Sequence, residues 1–325
     1  MKRRISQDVV RHQKSVFYHT DHEPDGDLLT IPRDLYTRMF TEDASLGVMP
    51  IGGRSRRKEF KIELVPRPIK EVAAMIAGAL ATSTHSYRED LSAVVCEFAR
   101  GCAAQICAND RATYEIVFHE DPQAKKLTGF ELAFIPEHQL VTQGSRVVQI
   151  VPPEVAVKRG CAARIPFSED ELLIIEAPME FRRDLRKMRE GLRRLAQLPL
   201  SGLTLESSQK GIPYDFNAHH RTMKLALADV VRAIGWNVRG TFNDSVLSYY
   251  WIERDIRFHR FKIEMRQAIL SALNGAIRRV GKKLGFEVEI TVSGLPTVQD
   301  TVEASTKLRS GEKAFTEVMD VFTPG

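Results

Sequence analysis

Cysteine is scarce in these 325 residues: there are four, at 96, 102, 107 and 161, and no two form a CxxC pair. That removes the usual framework of a disulfide scaffold or a paired-cysteine metal site and leaves buried, reduced thiols as the reading. No stretch reaches the ~18 apolar residues of a membrane-spanning helix. The basic start, MKRRISQDVVRHQKS, is not followed by the apolar segment of a secretory signal. The expectation is a protein made and kept in the cytosol of its host, with no membrane partner. There is no Walker phosphate loop, no GxGxxG turn and no GxSxG elbow. Nothing positive therefore points to catalysis or to a cofactor. Internal repeats and low-complexity tracts are also missing.

What is present is ordinary in bulk and uneven in detail. The chain is 43% apolar and 27% charged, with net charge +5 and a pI near 9.0. Its length suits about two domains or one elaborate one, and its mild basicity favours a polyanion such as nucleic acid without requiring it. The basic excess is concentrated in EFRRDLRKMREGLRRLAQLPL, residues 180–200. Phe181, Leu185, Met188, Leu192 and Leu195 are spaced 4, 3, 4, 3, a narrow apolar stripe on a helix. Arg182, Arg183, Arg186, Lys187, Arg189, Arg193 and Arg194 occupy much of the remaining surface. Such a helix can grip nucleic acid, pack against another copy of itself, or stay solvated.

The periodicities predict an α+β chain. A loosely ordered arm, 1–58, contains a short helix around RDLYTRMF. EFKIELV alternates as a strand, and IKEVAAMIAGAL and the segment from Tyr87 to about Cys107 read as helices. TYEIVFHE and GFELAFIP flank a turn and form a hairpin; RVVQIVPP, ARIPF and ELLIIEAP continue as strands to residue 177. The arginine-rich helix follows and is expected to stop at Pro199. After a short excursion, 199–214, comes a second helix to Trp236 and the loop NVRGTFN, with a permissive Gly240. A proline-free run of nearly forty residues, which Asn243 or Asp244 can cap, then forms one very long helix. Its aromatic start is expected to anchor it in the core, near the strands of 113–177. A strand, FEVEITVSGLP, and two short helices end the chain.

Candidate chemistry is thin. His19 and His22, with Asp21, Asp25 and Asp27, could in principle converge on a metal, but solvated polar residues are normal in such a Gly/Pro/Asp-rich stretch. His219 and His220 are neighbours on a helix and point apart. Glu59 and Lys61, in EFK, have the Glu-x-Lys form of some metal-dependent nucleases, and an exposed strand face gives the same letters.

The order of elements resembles the portal proteins of tailed bacteriophages, the head-to-tail connector ring subunits. YREDLSAVVCEFARGCAAQICANDRATYEIVF looks like that family's join between a long helix and a β-rich wing, and FSEDELLIIEAPMEFRRDLRKM like its passage from wing strand to stem helix. LALADVVRAIGWNVRGTFNDSVLSYYWIERDIRFHRFKIEMRQAILSALNGAI has the layout of the second stem helix, tunnel loop and long wing helix. Within it Ser245 or Ser248, Glu253, Leu273 and Asn274 fall where the family often carries similar residues. TVEASTKLRSGEKAFTEVMD resembles the portal C-terminus. The likeness spans about residues 60–320. It departs where relatives carry a proline after the second stem helix, here Asn237 or Val238, and a histidine before the stem, here about Ile175–Glu176.

The resemblance implies a division into an N-terminal arm (1–58), a wing (59–177), stem helices (178–236) with a short clip (199–214), a tunnel loop and long wing helix (237–285), and a C-terminal strand and crown (286–325). It implies a homo-oligomeric ring of twelve copies at the portal vertex of a virion, with double-stranded DNA passing through it. It also implies contacts with the major capsid protein, the terminase motor and head-tail adaptor proteins, and no enzymatic activity of the subunit's own. It makes Asn237, Val238, Arg239, Gly240, Thr241, Phe242 and Asn243 the DNA-channel loop, with Arg239 offered to phosphates. The basic face of residues 182–194 would meet adjacent subunits or the channel. Two other readings stay open: a metal-dependent nuclease built on Glu59 and Lys61, and a non-viral nucleic-acid-binding or scaffold protein.

Overall fold

Alternation at Ile62 and Leu64 becomes strand β2 (Lys61–Val65), with these two side chains buried and Lys61, Glu63 and Val65 exposed. Its partner is distant in sequence: β2 pairs antiparallel with β9 (Glu289–Ser293), Ile62 opposite Val292 and Leu64 opposite Ile290. The computed structural model in which this pairing is seen describes residues 9–18, 34–53, 60–84, 90–144, 146–205, 216–240, 248–314, 317–318 and 322.

The expected hairpin is present as β3 (Arg111–Asp121) and β4 (Lys126–Ile135). The other edge of β3 is shared end to end. β8 (Leu172–Glu176) pairs with its first half, and β1 (Val10–Arg11) pairs with Glu120 and His119 near its far end. A second antiparallel sheet runs β5 (Leu140–Gln143), β6 (Arg146–Ile150) and β7 (Arg164–Phe167). Helix α4 (Pro153–Arg159) fills the connection between β6 and β7, with proline at its first turn, where no N–H is needed.

Helices α2 (Lys70–Thr84) and α3 (Leu91–Asn109) pack with these sheets, helix α1 (Leu35–Leu46) packs on α3, and the whole is α+β as predicted. Asp34 caps α1 through Thr37 N at 2.7 Å and Asp90 caps α3 through Ala93 N at 2.9 Å, each satisfying an N-terminal donor. Against the expectation that no stretch reaches membrane-spanning length, α3 is by length and composition apolar enough to span a bilayer. Here that apolar surface serves the core: Val94, Val95, Phe98, Cys102 and Ile106 are fully buried. Cys96, Cys102 and Cys107 are buried with them, and burial pushes each thiol up to about 12, so they stay protonated and inert.

Residues 34–53 differ from the loose arm the sequence suggested. Phe40, Ala44, Val48 and Met49 are buried in the main core. Phe40 lies 5.4 Å from the Trp236 ring and 6.1 Å from that of Phe261, edge-on to the first as aromatic quadrupoles prefer.

Helix α5 (Met179–Leu205) continues through Pro199 rather than stopping there. A helical proline forfeits one hydrogen bond and clashes with the carbonyl four residues back, a cost of about 3 kcal/mol. A helix of 27 residues retains enough other bonds to continue past it. Helix α6 (Phe216–Val231) returns along α5. Gly191 of α5 faces Val230 of α6 so closely that an added Cβ would come within 2.8 Å of a valine methyl.

Helix α7 (Ser248–Leu284) is the longest element, 37 residues and about 55 Å at 1.5 Å per residue. As expected it lies against strands of the 113–177 region: Arg279 donates to the Leu172 carbonyl at 2.7 Å, and Lys283 sits over the Phe118 ring. Asn274 clasps β9 through both backbone groups of Ile290, at 2.8 and 2.9 Å. Phe258 and Phe261 are buried, as an anchoring role requires. The side chains of Tyr249, Tyr250 and Trp251 lie outside the described residues. Helix α8 (Val298–Arg309), capped by the reciprocal Thr297–Asp300 pair, packs on α7. The second expected terminal helix falls mostly outside the described residues.

Candidate nucleic-acid interface

The stripe read from the sequence of α5 is buried: Phe181, Leu185, Met188, Leu192 and Leu195 all belong to the main core, against α6 and α1. The seam is therefore filled within one chain. The opposite face of the helix keeps the cations. Arg183, Arg186, Lys187, Arg193 and Arg194 are exposed, and Arg182 and Arg189 are partly covered.

Internal carboxylates use up part of that charge. Arg182 donates to Glu176 at 2.7 Å, Arg189 to Asp110 at 2.7 Å, and Arg186 lies 3.4 Å from the same Asp110 carboxylate. Arg194 pairs with Glu190 one turn away. Arg183, Lys187 and Arg193 form no ion pair among the described residues and stand free on the solvent face. Asp110 takes the left-handed conformation that ends α3, φ 72°, which aims its carboxylate at α5 from the join between helix and sheet.

The turn after α6 is held more firmly than its sequence suggests. Gly235, φ 87°, lets the chain touch α7: an added Cβ would lie 2.3 Å from the Arg254 carbonyl oxygen. Trp236 follows, 1% exposed, its indole N–H donating to Asp43 at 2.9 Å. The reversal expected at Gly240 falls on Val238 and Arg239, φ 46° and 53°. Left-handed backbone is costly for any residue with a Cβ, most of all a β-branched one. Two contacts hold it: Val238 is buried, and Arg239 donates from Nε to Asp43 at 2.9 Å and from a terminal nitrogen to Glu42 at 2.8 Å. Arg239 and Arg38 together hold the Glu42 carboxyl below its ordinary range, and the carboxylates raise Arg239 in turn.

Arg239 is thus already paired with two carboxylates in this chain. Thr241, Phe242 and Asn243 lie outside the described residues. Deeper in the same junction, burial pushes the Asp255 carboxyl up and the Lys262 ammonium down to about 8. Lys262 lays its stem over Gly47 and its ammonium 4.6 Å from the centre of the Phe258 ring. None of the α1 carboxylates could be found by reading locally, because Glu42 and Asp43 are almost two hundred residues from Arg239.

A groove of about 910 Å³ opens between α5, α6, α7 and α8. Its charges are mixed and largely self-satisfied: Arg260 donates to Glu180 at 2.6 Å and to Glu264 at 2.7 Å, and Arg309 to Glu253 at 2.8 Å. It does not offer the single-signed wall that a phosphate backbone selects. Of the weaker candidates, Lys61 is an exposed residue of β2 and His220 is exposed on α6, while Glu59, His19 and His22 lie outside the described residues.

No protein-family model matches the chain, and no curated protein does. Among solved structures, a chain from the "Neck of native GTA particle computed with C12 symmetry" is similar over 79% of this chain and 88% of that one, at 14% identity and a TM-score of 0.38.

Proposed function

We propose that the protein is the subunit of a phage portal ring, a non-enzymatic channel for double-stranded DNA at the capsid vertex. The observation that carries the reading is the order of elements the portal resemblance requires: a core helix joined to a β-rich wing, two antiparallel helices, a strained short turn, one helix of 37 residues, and a strand and helix that close back on it. Leu273 and Asn274, two of the positions in that resemblance, support it further, one buried in the core and the other fastening the long helix to β9.

Within this reading the phosphate contacts fall first to Arg183, Lys187 and Arg193, which form no ion pair among the described residues. Arg239 reaches a phosphate only by leaving Glu42 and Asp43, so its contribution is conditional on that exchange. A dozen subunits each presenting a few free cations give a belt that follows phosphates and ignores bases, the property needed by DNA that slides.

The test is in two parts. Particle mass and negative-stain images of the purified protein should give a ring of about twelve copies; a monomer or an open fibre overturns the reading. Arg183→Glu/Lys187→Glu should then leave rings intact and lower DNA packaging or retention. Full packaging by that variant removes α5 from the channel.

A further inference from the structure

The N-terminal segment is held in an unusual way. Glu115 is a carboxylate in the middle of β3, only 2% exposed. One of its oxygens accepts the backbone N–H of Lys14 at 2.7 Å and the other that of Ser15 at 2.8 Å. Gln149 of β6, 1% exposed, reads the next residue in both directions, accepting from Val16 N at 3.0 Å and donating to Val16 O at 2.8 Å. The same amide nitrogen donates to Gln139, 1% exposed, which itself donates to the Tyr18 carbonyl at 3.1 Å. Tyr18 is buried among Ile135, Leu140, Val151 and Phe167, its hydroxyl donating to the Ile150 carbonyl. Ahead of this stretch, β1 adds a short ladder to the edge of β3 that β8 leaves open, and His12 N donates to Phe118 O at 3.0 Å.

Three buried polar side chains thus serve five backbone groups of a five-residue span, 14–18, and end at an aromatic anchor. Among the described residues their hydrogen bonds go to that segment and to one another. A carboxylate and two amides in an apolar setting are costly unless satisfied. Their placement between the two sheets makes sense as a site for an extended chain, recognised through its main chain and one tyrosine pocket, the logic of strand addition at a sheet edge.

Every one of the clasp's bonds to the segment joins residues a hundred or more positions apart, so none depends on segment and groove belonging to the same molecule. Fifteen residues, 19–33, connect Tyr18 to α1, a length that reaches up to about 50 Å when extended. Exchange of such a segment between copies leaves its contacts unchanged while raising the effective concentration of each copy for the next. We propose that the Glu115–Gln139–Gln149 groove is a strand-addition site whose occupant in the assembled protein is segment 10–18 of a second copy of this chain. The inference requires self-association but not the DNA channel, so it can fail while the portal reading stands, and the reverse.

Arg11 and His119 are opposed Cα partners, and the bond from His12 N to Phe118 O makes theirs the closer, non-hydrogen-bonded kind of pair. That geometry suits a disulfide. In full-length protein carrying Cys161→Ser, to remove the part-exposed thiol, Arg11→Cys and His119→Cys are placed on separately tagged chains, co-assembled and oxidised. Exchange gives a covalent dimer carrying both tags, abolished by adding Glu115→Ala to the acceptor chain. If the double variant Arg11→Cys/His119→Cys closes only within one chain and the mixed pair gives no dimer, exchange is wrong. If neither cross-link forms, the clasp itself is wrong. A mixed dimer that persists with Glu115→Ala is random collision and equally overturns the proposal.

Discussion

Replacing Gly235 by alanine isolates the closest backbone contact in the molecule's central junction. Two separate costs apply. The first is conformational: at φ 87° an L-residue loses about 1–2 kcal/mol relative to glycine. The second is steric. The new Cβ would stand 2.3 Å from the Arg254 carbonyl oxygen and 3.0 Å from the Phe258 nitrogen, both backbone atoms of α7 that no rotamer change can move. Relieving the overlap means parting α7 from the end of α6, beside buried Trp236 and Phe258, a further loss of about 1–3 kcal/mol by analogy with overpacked cores. Gly160 supplies the control, since its φ of 64° is comparable and nothing lies within 4 Å of its added Cβ. For 325 residues the unfolding entropy is roughly 0.7 kcal/mol per degree, so each kcal/mol lowers Tm by about 1.5 °C. Thermal unfolding followed by circular dichroism should show Gly235→Ala lower by about 3–7.5 °C and Gly160→Ala by about 1.5–3 °C. Equal shifts would mean that α6 and α7 do not approach as described, and the steric argument would fall.

Leu192→Asp places a carboxylate at a fully buried position of the α5 seam and should cost several kcal/mol, seen as loss of cooperative melting; a normal melt would place the seam outside the core. Burial holds His259, stacked on Phe322, down at about 3, so as pH falls from 6.5 towards 3 the unfolded chain takes up a proton that the folded chain refuses, and stability declines across that window. His259→Phe should flatten the decline in Tm measured over that range, and an unchanged slope would assign it to other groups. Arg239→Glu sets three carboxylates together at the α1 contact and should lower Tm, while Arg239→Glu with Glu42→Lys, which leaves Asp43 to accept from Trp236, should recover part of the loss; no recovery would mean the pairing is not made in solution.

The sequence was most legible where a local period controls burial. The 4, 3, 4, 3 spacing of the α5 stripe and the alternation of 60–65 each name the face that packs, and those faces are buried, while the proline-free stretch of α7 foretells its length. It was least legible where the decisive partner is remote. Nothing near Arg239 announces Glu42 and Asp43, and nothing near Lys14 announces Glu115. For the same reason Gly240 looked like the pivot of its loop, whereas the contacts of Arg239 and the burial of Val238 force the left-handed turn onto residues that would avoid it alone. Pro199 shows the opposite limit: a strong local stop signal yielded to a helix long enough to continue past it.

The Asn274 clasp on β9 divides α7 unequally. Twenty-six residues, about 39 Å, run from it back to Ser248, and ten, about 15 Å, run on to Leu284. Mechanically this is a beam with its fulcrum near one end. A tilt about Asn274 that shifts the Leu284 end by 1 Å sweeps the Ser248 end through roughly 2.5 Å, by the ratio of the two arms. Force applied at the long end reaches the Leu284 end with the inverse gain, reduced in travel and increased in magnitude by the same ratio.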